Sequence, residues 1–141
     1  MSDLRPFHLA MPVSDLQMAR SFYGDLLGCS EGRCSSHWVD FNFFGHQFVC
    51  HLDEKAGTMD RMQNAVDGDA VPVPHFGVIL RMEEWKIMRD RLIHAEMEFV
   101  IEPRIRFAGK PGEQATMFFM DPSGNALEFK AFAADNQIFE K

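Results

Sequence analysis

Apolar positions along this chain fall into short runs that switch between a two-residue and a three-to-four-residue period. The first run, Phe7-His-Leu-Ala-Met-Pro-Val13, predicts a strand over residues 5–13. Ser14 or Asp15 then offers an N-cap oxygen, and Leu16, Ala19, Phe22, Tyr23, Leu26 and Leu27 form the apolar stripe of a helix that Gly28 stops. Strands are expected at about 37–43 and 47–52, with Gly45-His46 as the turn and Trp38 near the first start. Residues 54–71 are polar, contain Gly57 and Gly68, and predict a linker with room for a helical turn.

The order then recurs. A strand is expected at about 74–81, then a helix at about 83–96 with Trp85, Met88, Leu92 and Ala95 on one face. A short strand at 98–101 leads into a loop, 102–113, rich in Gly, Pro and charge. Strands at 115–120 and 125–132 flank Asp121-Pro-Ser-Gly124, whose Pro and Gly suit a type I turn. Residues from Ala133 read as a tail. Each half therefore predicts β-α-β-β-β. The fold class is α+β: one domain of two such modules, about 5–53 and 72–132, forming a curved mixed sheet around a cleft.

Composition narrows the partners. The chain has 141 residues, 46% of them apolar, enough for a core. The net charge is −7 and no basic block occurs, so nucleic acid is not expected. No apolar run reaches membrane-spanning length, and Met-Ser-Asp-Leu-Arg-Pro does not resemble a signal peptide. Cys29, Cys34 and Cys50 are odd in number and lack CxxC spacing, which suits reduced thiols in a cytoplasmic protein.

Three of the apolar runs each carry one metal-capable side chain: His8, His75 and Glu128. The two histidines fall at matching positions of the repeat. Two imidazoles and a carboxylate are the facial set that holds divalent iron and leaves coordination positions open. Glu128 stands in a strand apolar on both faces, where a carboxylate must be paired or bound to a metal; Lys130, two residues on, is the alternative partner. His51 shares a face with Gln47 and Val49, on the strand expected to match that of Glu128, and reads as a fourth ligand, an acid–base group or a partly exposed strand histidine. His37, His46 and His94 take structural readings. Arg104, Arg106 and Lys110 in the 102–114 loop read either as a cationic lid for an anionic substrate or as a solvated surface loop. Phe118 is a candidate pocket wall among Phe41, Phe43, Phe107 and Phe119.

The paired modules, Phe7-His-Leu-Ala-Met-Pro-Val-Ser-Asp-Leu16, Phe22-Tyr-Gly-Asp-Leu-Leu-Gly28 and Phe119-Met-Asp-Pro-Ser-Gly-Asn-Ala-Leu-Glu128 resemble the vicinal oxygen chelate superfamily over about residues 5–132. That superfamily holds glyoxalase I, bleomycin-resistance proteins, fosfomycin-resistance enzymes and type I extradiol dioxygenases. Asp40-Phe-Asn-Phe-Phe-Gly-His-Gln47, Val73-Pro-His-Phe-Gly77 and Gly112-Glu-Gln-Ala-Thr-Met-Phe-Phe119 are similar to its small predicted-dioxygenase branch. The resemblance implies metal ligands at His8, His75 and Glu128, with Fe(II) or Mn(II) expected and Zn or Ni as alternatives. It implies a distal acid–base histidine near His51; in the glyoxalase branch a Glu or Gln ligand occupies that region. Classical extradiol enzymes carry a Tyr shortly before the final Glu, where this chain has Phe118-Phe119.

The expected function is an extradiol-type dioxygenase acting on a small, catechol-like substrate. Arg104, Arg106 and Phe118 are its candidate substrate contacts, and a homodimer its expected assembly. The alternatives are a glyoxalase-like lyase or isomerase and a non-catalytic small-molecule-binding protein.

Overall fold

In the computed structural model, residues 3–58, 62–66 and 68–141 are described. The chain divides into two compact units, Met1–Met59 with Asp121–Asn125, and Asp60–Met120 with Ala126–Lys141. The first unit runs β1 (His8–Val13), helix α1 (Leu16–Ala19, continued by π-type turns over Arg20–Leu26), β2 (Ser30–Cys34), β3 (Trp38–Phe43) and β4 (His46–Leu52). Its sheet order is β1-β4-β3-β2. The second unit opens with a hairpin, β5 (Met62–Val66) and β6 (Asp69–Val73). It continues through β7 (Phe76–Leu80), α2 (Met82–His94), β8 (Phe99–Arg106), β9 (Gln114–Met120) and β10 (Ala126–Phe132). Its sheet order, β7-β10-β9-β8, repeats that of the first. In each sheet the first strand pairs in parallel with the last, and the other pairs are antiparallel. This is the α+β fold of two βαβββ modules that the sequence pattern predicts.

Local chemistry explains the elements. Asp15 caps α1, its Oδ1 accepting from Met18 N at 2.8 Å. The helix is α over Leu16–Ala19 and widens to π-type turns over Arg20–Leu26, where Leu27 N reaches back to Phe22 O. The widened segment buries Phe22 and Tyr23. The Tyr23 ring stands 4.7 Å from Phe48, 4.8 Å from Phe22 and 5.7 Å from Phe41. Its hydroxyl donates to Asp121 Oδ2 at 2.7 Å. In the second unit α2 buries Trp85, Met88 and Leu92, and Trp85 Nε1 donates to Phe129 O at 2.9 Å. Met117, Phe119, Leu127 and Phe129 complete a core in which each fully buried large side chain is worth about 1.5–3 kcal/mol.

Three expectations are corrected. The expected linker, 54–71, instead carries β5 and the start of β6, which pair as a hairpin; Val71 from it packs with Ile101 and Phe118. β8 runs on to Arg106, so Arg104 and Arg106 lie on a strand and not in a loop. β2 has no apolar alternation to reveal it, because all five of its residues are exposed. The tail is also tied down: Ala133 N donates to Glu113 O, and Asp135–Gln137 forms a 3₁₀ turn.

Removing the Tyr23 hydroxyl leaves Asp121 one donor short in a buried site. Tyr23→Phe should therefore lower unfolding stability by about 1–3 kcal/mol, read as a shifted denaturant midpoint at unchanged slope.

Burial pushes the Cys29 thiol from 9.0 up to about 11, against a hydrogen bond from the Phe44 backbone. Burial first, then Asp121, raises Cys50; burial and Asp121 raise Tyr23. All three groups hold their protons in the fold at pH values where the unfolded chain has lost them. The contribution of these three groups to stability should thus be constant below about pH 9 and fall as pH rises from there toward 11. At pH 8 a thiol reagent should label the exposed Cys34, with Cys29 and Cys50 reacting only on unfolding.

Candidate metal centre

Two of the three expected ligands meet in the second unit. His75 precedes β7 and Glu128 lies on β10, and His75 Nε2 stands 3.4 Å from Glu128 Oε1. Their approach depends on Gly77, which pairs with Glu128 across the parallel β7–β10 ladder. A Cβ at Gly77 would lie 1.6 Å from the Glu128 carbonyl oxygen, so no larger residue fits this pairing.

Both side chains are held from behind. His75 Nδ1 is 2.7 Å from the Pro72 carbonyl, which can only accept, so Nδ1 carries the proton. In the neutral ring Nε2 is then a bare lone pair aimed at a carboxylate oxygen. The other carboxylate oxygen, Oε2, accepts from Thr116 Oγ1 at 2.5 Å. Two lone pairs facing each other call for a proton or a cation between them. Two ligands about 2.1 Å from one metal, at angles of 90–110°, stand about 3.0–3.4 Å apart. The observed spacing fits that geometry, as do the hydrogen bonds behind the ligands.

His8 belongs to the first unit, on β1 opposite Gln47 of β4. Its Nδ1 lies 2.9 Å from Gln47 Oε1, while Gln47 Nε2 donates to Asp40 Oδ2 at 3.2 Å. Asp40 is buried and its carboxylate accepts, which orients the amide and makes His8 Nδ1 the donor. His8 Nε2 is therefore also left as the free lone pair. Among the described residues no three His, Cys, Asp or Glu side chains form a single metal-sized group.

His51 shares the face of Gln47 and is exposed, opposite Pro12. The register moves it from its expected place. Glu128 pairs two residues beyond His75, and the matching position of the first sheet, opposite Ala10, is Val49. His51 lies four residues beyond Gln47, about 13 Å along the strand.

The expected substrate contacts are also located. Phe118 is buried, its ring edge-on to His75 at 5.0 Å between centroids. The Arg104 guanidinium pairs with Asp69, and Arg106 lies over the Phe107 ring at 5.1 Å. Lys130 is not the partner of Glu128, whose oxygens face His75 and Thr116.

Thr116, Gln47, Asp40 and Pro72 were not singled out from sequence as supports of the ligands. Gln47 and Asp40 close the hairpin segment that carries the family resemblance, and that was the available signal. Their contact with His8 depends on a parallel register that local pattern does not encode.

The sequence profile of the Glyoxalase/Bleomycin resistance protein/Dioxygenase superfamily matches residues 5–129, and the chain belongs to that superfamily. It is 32% identical to a glyoxalase/bleomycin resistance protein/dioxygenase from Alicyclobacillus acidocaldarius, covering 96% of each chain with a TM-score of 0.77. Its fold is shared by the fosfomycin resistance protein FosX from Listeria monocytogenes, at 18% identity, coverage of 97% and 98%, and a TM-score of 0.66. A lactoylglutathione lyase from Agrobacterium tumefaciens, 17% identical over 97% of both chains, also has a TM-score of 0.66. No curated protein matches the sequence. No helix among the described residues is long and apolar enough to cross a membrane.

Thr116→Val keeps the β-branched shape and removes the donor to Glu128. It should weaken divalent-metal affinity about tenfold or more, read by competition with a chelating dye, while far-ultraviolet dichroism stays unchanged.

Proposed function

We propose that the protein is a metal-dependent dioxygenase of the extradiol type, acting on a small substrate with two vicinal oxygens. His8, His75 and Glu128 are its metal ligands, with Fe(II) or Mn(II) as the working ion. The observation that carries this reading is the 3.4 Å approach of His75 Nε2 to Glu128 Oε1, with the far atoms of both groups already engaged. A bound divalent ion would supply positive charge and open coordination positions for oxygen ligands. The chain supplies the rest. Pro72 and Thr116 hold the two ligands in orientation, Gln47 does so for His8, and Phe118 gives the His75 side an apolar wall that excludes water.

Val49 at the position matching Glu128 supports a three-ligand set over the four-ligand set of the glyoxalase branch. His51 is the candidate for moving protons on the face of His8. His51 lies one rung, about 7 Å, beyond Val49, so a substrate or a water chain would carry the proton across that gap.

One observation favours a second reading, a metal-dependent lyase or isomerase. The ring against His75 is Phe118, which has no hydroxyl to orient a catechol.

Protein purified without oxygen and reloaded with Fe(II) should hold one ion per site, and Glu128→Ala should abolish uptake. His51→Ala should keep the metal and lower turnover by about 10²-fold. Oxygen consumption matching ring cleavage across a catechol panel would support the dioxygenase. Metal uptake with no oxygen consumption would transfer the site to the second reading, and absence of metal in the wild type would remove both.

A further inference from the structure

Cross-strand register arranges the Glu128 face of the second sheet in rows. One row holds Ile101, Phe118, Glu128 and Gly77; the next holds Arg104, Thr116, Lys130 and Ile79. The rows are about 7 Å apart, two residues along a strand. Two cations therefore stand one row from the chelating pair. Arg104 is neutralised by Asp69. Lys130 is half-buried and, among the described residues, meets no carboxylate; its ammonium lies 5.6 Å from the Phe132 ring centre.

Lys130 also lines two cavities. A cavity of about 230 Å³ is lined by His75, Gly77, Ile79, Glu128 and Lys130. A second, of about 350 Å³, is lined by Lys130 together with Gln114, Phe132, Gln137 and Ile138. A half-buried ammonium without a counter-ion, beside a carboxylate engaged elsewhere, is an anion site waiting for its anion. A single positive charge, one row from Glu128, matches a monoanion better than a phosphate dianion.

We propose that Lys130 anchors a carboxylate of the substrate, about 7 Å from its chelating oxygens, with the body of the molecule spanning the space between the Glu128 and Lys130 rows. The substrate class is thus a vicinal-oxygen compound that also carries a carboxylate, such as a dihydroxybenzoate. This rests on the reading of His75 and Glu128 as the chelating end.

Binding to protein loaded with redox-inert Zn(II) tests it, with catechol and 3,4-dihydroxybenzoate compared by calorimetry. Wild type should bind the carboxylate five- to tenfold more tightly, about what one partly exposed charged contact gives. Lys130→Met should erase that preference, leave catechol and Zn(II) affinity within about twofold, and Lys130→Arg should restore the preference. A preference that survives in Lys130→Met, its absence in the wild type, or an equal loss of both ligands would overturn the proposal.

A second arm separates this from failure of the metal site. 3,4-Dimethoxybenzoate, a poor chelator, is titrated into metal-free protein by NMR. Affinity that falls five- to tenfold in Lys130→Met upholds the anchor even if Zn(II) never binds, in which case the metal reading alone fails. Affinity indifferent to Lys130 sinks the anchor even if Zn(II) binds well.

Discussion

One buried carboxylate organises the first unit. Asp121 sits in the turn between β9 and β10 and accepts from the Tyr23 hydroxyl, the backbone N–H groups of Ser123 and Asn125, and the Asn125 side-chain amide. Four donors make up for the water it has lost, and a charged acceptor binds each more strongly than a neutral one would. The same turn reaches the chain around β1. Asn125 donates to Pro12 O at 2.8 Å, and Ser123 Oγ accepts from Ser14 N at 2.8 Å. The close of β1, the start of α1 and the π-widened turn that delivers Tyr23 are thus referenced to one anion. Three residues past Asn125 the chain carries Glu128, so the turn that needs Asp121 also leads into the strand of the only anionic ligand proposed.

This dependence explains why so much of the fold could be read from sequence. The Asp121-Pro-Ser-Gly124 turn is local, and Gly124 N closes it on Asp121 O at 3.0 Å. The helix stripes and the apolar runs of β9 and β10 are local too, and their positions matched expectation to within a residue or two. What escaped was what local periodicity cannot encode. β2 is wholly exposed. The 62–73 hairpin combines exposed β5 residues with Val71, which is buried on a sheet elsewhere in its unit. β8 was cut short because Pro103 and three charged residues hide a strand that continues through irregular register.

The candidate site divides the same way. Residue type marked His75 and Glu128, since a carboxylate in a strand of buried neighbours needs a partner, and the structure supplies His75 and Thr116 for it. Residue type also nominated Lys130 as that partner, and here the pleat misled. Sharing a face at a spacing of two puts Lys130 one row away; Thr116, diagonal to Glu128 in that same row, reaches its Oε2, and the strand-end His75 faces Oε1. His51 was placed against Glu128 by counting strands. Counting rungs gives Val49, because a parallel register set through a helical crossover cannot be inferred from the strand alone.

The two histidines are oriented by acceptors of different strength, and that difference has chemical consequences. His75 leans on a backbone carbonyl, a fixed neutral dipole. His8 leans on an amide that is itself held by the Asp40 carboxylate. An anion at the end of a hydrogen-bond chain polarises it, so the amide oxygen becomes a better acceptor and the imidazole a better electron donor at Nε2. Asp40 does this from a buried position, without becoming a ligand. The arrangement gives His8 carboxylate-like support at one remove. In the proposed ligand set Glu128 would be the one anion, which would leave a divalent ion with net positive charge, the condition for holding anionic oxygen ligands in the remaining positions.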